Sequence, residues 1–125
     1  MLKWRRLWLE RGAYVAWATV DAQDEPARFA RSLLNAMRSA TDRAAFEPLA
    51  ALCASQPDRE MEAMTAMLAE VLAIGVETVL MLDDTERLPS SSAQLLAYLM
   101  HNAPPNLHIV VGSRVPLAVA TAELS

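Results

Sequence analysis

Hydrophobic positions along this chain follow a helical period in some stretches and run together in others, and the alternation predicts an ordered series of helices and strands. Trp4, Leu7 and Trp8 recur at helical spacing over residues 2–11, and Gly12 follows as a stop, because glycine enters the left-handed conformation at little cost. Residues 14–20 are rich in β-formers and too few for a typical helix, which predicts a strand ending at Asp21. Asp24 is placed to cap the next helix and Pro26 to sit in its first turn, with Phe29, Leu33, Leu34 and Met37 marking one face as far as Ala40. The signal weakens over residues 41–57, where Phe46, Leu49, Leu52 and Cys53 predict a short helix with Pro48 near its start.

Asp58 and Glu60 favour a helix N-terminus through the macrodipole, and Met61, Met64, Leu68, Val71 and Leu72 carry an apolar stripe up to Gly75. Residues 76–82 are apolar apart from Glu77 and Thr78 and stop abruptly at Asp83 and Asp84, the pattern of a buried parallel strand. Ser90 to Ser92 offer capping hydroxyls to a helix that places Leu95, Leu96, Leu99 and Met100 against the sheet before Pro104 and Pro105 end it. Residues 107–112 predict a third strand running into Ser113 and Arg114. Strands separated by helices imply right-handed crossovers, so the expected fold class is α/β: a parallel, three-layer sheet fragment of about three strands with helices on its faces.

Composition narrows the reading. With 125 residues, 54% of them hydrophobic, the chain has material for a single domain around one core. The net charge of -4 gives it no positive field to attract a polyanion, so direct nucleic-acid binding by this segment is not expected. One cysteine, Cys53, forms no internal disulfide, and the Met-rich, Ala-rich, aromatic-poor composition suggests a cytoplasmic protein. No stretch approaches the roughly 20 apolar residues that cross a bilayer, so no membrane partner is expected.

Chemistry concentrates after the apolar run Val79, Leu80, Met81, Leu82, where Asp83 and Asp84 emerge at the carboxyl end of a strand. Ligands of open α/β sheets bind at that edge. A carboxylate there holds Mg²⁺ directly or through water, and its neighbour orients an attacking water; the plainer reading is that both acids start the following turn. One strand later Arg114 reaches the same edge, suited to phosphate charge or to an ion pair with the acids. His101, His108 and Cys53 lack the spacing of a metal site, and Ser113 lacks a nucleophile elbow.

Taken in order, these segments resemble the STAND-type P-loop ATPase domain of the large LuxR-like transcriptional regulators related to the bacterial maltose-operon activator. Residues 4–12 are similar to the stretch after the P-loop helix, residues 15–21 to the next strand, residues 24–29 to its helix, residues 79–84 to the Walker B strand, and residues 106–114 to the sensor strand. The resemblance implies ATP and Mg²⁺ as cofactors, Asp83 as the magnesium-associated acid, Asp84 as the acid near the attacking water and Arg114 as the sensor. It also implies nucleotide-controlled transcription activation, with self-association or association with related regulator domains.

Two departures bear on what this chain does by itself. Thr85 and Glu86 stand where the family has an aromatic residue and a histidine, and no Gly-x-x-x-x-Gly-Lys-Ser/Thr loop occurs in the sequence; the resemblance would put it just before Met1. Without that loop's N–H groups and lysine, the acids face a polyanion with only magnesium between them, so the expectation is a partial ATP-binding module that is not catalytically competent alone. The alternative is a non-enzymatic interaction module docking on a related ATPase through Trp4, Trp8 or an open strand edge. In related sheets the first strand lies beside the sensor strand, so residues 107–112 are expected to form an exposed apolar edge. A receiver domain, the other α/β class of this length, would need an acid pair near its first strand and a late lysine, whereas the only lysine is Lys3.

Overall fold

The computed structural model describes residues 12–112, and within them the chain is an α/β unit: a three-stranded parallel sheet in the order β1-β2-β3 with four helices. The elements are β1 (Tyr14–Thr19), α1 (Pro26–Thr41), α2 (Phe46–Ser55), α3 (Glu60–Ile74), β2 (Thr78–Asp83), a 3-10 turn (Thr85–Arg87), α4 (Ser90–Asn102) and β3 (Leu107–Val111). β2 is central, paired from Tyr14↔Thr78 to Thr19↔Asp83 on one side and from Thr78↔Leu107 to Leu82↔Val111 on the other.

Strand side chains alternate between faces, and here the alternation divides the molecule. Ala16, Leu80, Leu82 and Leu107 join one large core with Phe29, Leu33 and Leu34 of α1, Phe46 of α2, Met64 and Met67 of α3 and Leu99 of α4. The opposite face carries a smaller cluster of Val15, Val79 and Met81, flanked by Trp17 and Val110. All four described helices contribute to the first cluster and none to the second, so among the described residues the arrangement has two layers. The three layers expected from the sequence would need a helix on the second face; the predicted helix over residues 2–11 lies outside the described residues.

Local signals were partly redirected by packing. Gly75, with φ 71°, ends α3 as expected for a left-handed cap. Asp24 does not cap α1: the cap position is Glu25, and Asp24 is buried with its Oδ2 accepting the Asp21 N–H at 2.9 Å and its Oδ1 3.2 Å from Arg28 Nε. Nor do the serines cap α4, whose cap position is Pro89; the buried Ser92 hydroxyl instead donates to the Asp24 carbonyl at 2.5 Å. That bond ties α4 to the loop after β1, which satisfies a buried donor better than a solvent-facing cap would.

The α3 stripe is shifted from the sequence expectation. Ala63, Met64, Met67, Leu68 and Val71 are buried, while Met61 and Leu72 are exposed. Met100 of α4 is likewise exposed, against the expectation that it packs on the sheet. Helices apolar on more than one side leave the choice of buried face to tertiary packing, which periodicity alone does not see.

Candidate functional site at the carboxyl end of the sheet

The strands deliver Thr19, Asp83 and Gly112 to one end of the sheet. Val20 donates to the Asp83 carbonyl at 2.8 Å and Gly112 to the Leu82 carbonyl at 2.7 Å, which continues the ladder on both sides of β2. Asp83 is the last residue of β2 and pairs with Thr19, so both side chains stand on the face opposite the four helices. Asp83 is half-buried; its Oδ1 accepts the N–H of Asp84 at 3.0 Å, and its Oδ2 makes no hydrogen bond among the described residues.

Asp84 behaves differently from its neighbour. It is buried and adopts φ 58°, ψ 37°, one of two non-glycine residues at positive φ among those described. Asp tolerates this left-handed conformation better than most residues, and it turns the chain sharply into the 3-10 turn, whose Arg87 N–H is accepted by the Asp84 carbonyl. Asp84 therefore starts that turn through its backbone; its side chain makes no capping hydrogen bond there.

Thr85 is the residue whose part in this end the sequence did not suggest. Both its N–H, at 3.1 Å, and its hydroxyl, at 3.0 Å, donate to the Gly112 carbonyl. The chain leaving β2 is thereby fastened to the end of β3, in the position where the resembled family has an aromatic residue. Across β1, Asp21 closes an Asx turn by accepting the Gln23 N–H at 2.7 Å, which fixes an exposed acid near the same end.

The structure thus brings Asp83 and Asp84 together with Thr19 and Thr85; Arg114 lies outside the described residues, as do Trp4 and Trp8. Among the described residues no group of three or more acids, histidines or cysteines is set to hold a metal ion. Arg28 and Arg31 line a separate cavity of about 300 Å³ with Cys53, and Arg28 is engaged by Asp24. The residues present suit the magnesium side of a Mg-nucleotide only as far as one half-buried carboxylate, Asp83, with Thr19 on the same face. They do not supply the cationic and N–H donors that its phosphates need.

Cys53 carries the one resolved shift in proton affinity among the described side chains. Burial pushes its thiol above the ordinary value of 9.0, the Glu60 carboxylate adds to the rise, and Arg31 opposes it. That thiol is protonated and inert near neutral pH, so it is no nucleophile for this site. No described helix is long and apolar enough to cross a membrane. The chain matches no protein-family model, and no curated protein is significantly similar to it in sequence.

Proposed function

We propose that this chain is a partial ATP-binding module of a LuxR-like STAND transcriptional regulator, contributing the acidic, magnesium-side residues of a nucleotide site and not hydrolysing ATP by itself. The observation that carries this reading is Asp83, a half-buried carboxylate whose Oδ2 makes no hydrogen bond among the described residues, at the carboxyl end of the central strand, where open α/β sheets bind ligands.

The sheet order is compatible with it as well. β3, which corresponds to the sensor strand in the resemblance, is a terminal strand among the described residues, so the strand that carries the phosphate loop in such cores has a place beside it. When bound, magnesium would neutralise phosphate oxygens. Asp83 would orient its water shell, and Asp84, buried in the turn, would hold the backbone that aims Asp83. Phosphate donors would come from outside these residues, with Arg114 as the sensor.

Calorimetric titration with Mg-ATP, on the wild-type chain and on Asp83→Ala, tests the reading. Weak binding, in roughly the high-micromolar to millimolar range, that requires Mg²⁺ and disappears in the variant is the expected result. Absence of Mg-dependent heat from the folded wild type, or binding indifferent to Asp83→Ala, overturns it.

A further inference from the structure

The sheet ends on β1, whose outer edge faces a groove of about 520 Å³ between the strand and α1. The N–H groups of Tyr14 and Val20 point inward, to the carbonyls of Glu77 and Asp83. In a parallel ladder the backbone groups of one strand bond to its neighbour at every second residue, so those of Val15, Trp17 and Thr19 point out towards the groove. No strand among the described residues pairs with them.

Edge strands that stay single are protected by charge, proline, a bulge, shortness or a covering segment, and β1 has no charge, proline or bulge over its six residues and no covering strand among the described residues. The helical wall of the groove is equally bare: Ser32, Asn35, Ala36, Ser39 and Ala40 form an uncharged stripe of small and polar side chains. The groove therefore offers no charge by which to recognise a charged partner, and offers open amides to an uncharged extended strand.

We propose that this edge is a homodimer interface, in which β1 of a second copy pairs antiparallel with β1 about a two-fold axis through Trp17. Backbone direction admits only registers that set outward residue against outward residue, and of these the one centred on Trp17 pairs all three of them. Centred on Trp17, each outward residue meets an outward residue: Trp17 meets its own copy, and Val15 meets Thr19 of the copy on either side. A shift by one residue would set outward groups against inward ones and lose the ladder. Asp21 falls opposite Ala13 of the copy, so no like charges oppose each other.

Side chains agree with the same pairing on both faces. Val15 and Trp17 belong with the second-face cluster, so the two Trp17 rings would join the clusters of the two copies into one apolar strip. On the helical face the opposed residues are Ala16 and Ala18, and the small α1 stripe lets the two α1 helices approach to an ordinary spacing of about 8–10 Å. The other terminal strand is a poorer candidate, because β3 carries the polar His108, in contact with Glu77, and its Leu107 N–H is already taken by the Pro104 carbonyl.

Light scattering on the chromatographed 125-residue chain at about 100 µM reads the assembly directly, at a concentration that populates a dimer of micromolar Kd. The wild type is expected at twice the monomer mass. Asn35→Lys/Ser39→Lys, at two exposed positions of α1, is expected at the monomer mass with an unchanged circular dichroism spectrum. His108→Lys, on the opposite terminal strand, keeps the dimer. A readout free of substitution is amide exchange in the wild type, which should slow at Val15, Trp17 and Thr19 as concentration rises. A monomeric wild type, a dimer that survives the double lysine variant, or exchange at those three amides independent of concentration overturns the proposal.

Discussion

The two ends of the central strand are built on opposite terms. At its amino end Thr78 is fully buried, its N–H donates to the Asn106 carbonyl, and its hydroxyl donates to the Val76 carbonyl. Asn106 then reaches back with its amide, donating to the carbonyls of Val71 at 2.8 Å and Val76 at 3.0 Å. At the carboxyl end the ladder gives way to a half-exposed acid, a left-handed residue and a turn held by Thr85. One end satisfies the orphan carbonyls left where α3 stops; the other leaves polar groups presented for something else. The fold is fixed at the amino end, and the carboxyl end is left open to chemistry.

Asn106→Leu should break the amino end and cause the largest loss. The variant keeps the branched outline of the side chain in a bulkier, apolar form; it strips the amide donor from a last-turn helix carbonyl and one of two donors from the Val76 carbonyl, which keeps the Thr78 hydroxyl, at a cost of about 2–4 kcal/mol. Urea unfolding should show a lower midpoint with an unchanged slope, and nucleotide titration of the folded variant should match the wild type. A loss below about 0.5 kcal/mol would mean that water replaces the amide and that this end is not fixed as described.

Asp84 allows the carboxyl end to be probed in both directions. Asp84→Val puts a β-branched residue at φ 58° and should destabilise by about 1–3 kcal/mol, whereas Asp84→Gly removes the same carboxylate and relieves the backbone. A difference of at least about 1 kcal/mol between the two variants in thermal or urea unfolding would assign the position a conformational role. Equal stabilities would mean that the carboxylate, and not the backbone, holds the turn.

How much of this was legible in the sequence depends on the range of the signal. The strands, the four described helices and the Gly75 stop were readable because period, length and cap residues are local. Asp83 and Asp84 were readable as the end of an apolar run. What they do to each other was not, since a left-handed φ at Asp84 and the Thr85 bonds to Gly112 depend on a strand that comes 27 residues later. Asp24 and Ser92 misled for the same reason: both carry good cap chemistry, and both are drawn into one buried contact 68 residues apart in sequence. Met61, Leu72 and Met100 read as core by periodicity and are exposed, because apolar residues on an apolar helix carry no mark of which side the sheet will take.

The smallest expected effect separates the large core from both ends of β2. Cys53 lies in the main cluster, 2% exposed, and its folded thiol holds its proton more tightly than an unfolded one. The folded state therefore binds more protons than the unfolded state once pH passes the ordinary value of 9.0, and stability falls as pH rises through that region. Below it the thiol's contribution is fully present. Cys53→Ala should be less stable than wild type near neutral pH by about 1 kcal/mol, the cost of a small cavity, and the gap should narrow steadily above pH 9. Urea midpoints of both proteins from pH 7 to pH 10 read the gap directly. Were it constant across that range, the alkaline loss would have to come from groups other than this thiol, and the core would no longer be the pH-sensitive part that sets it apart from the two ends.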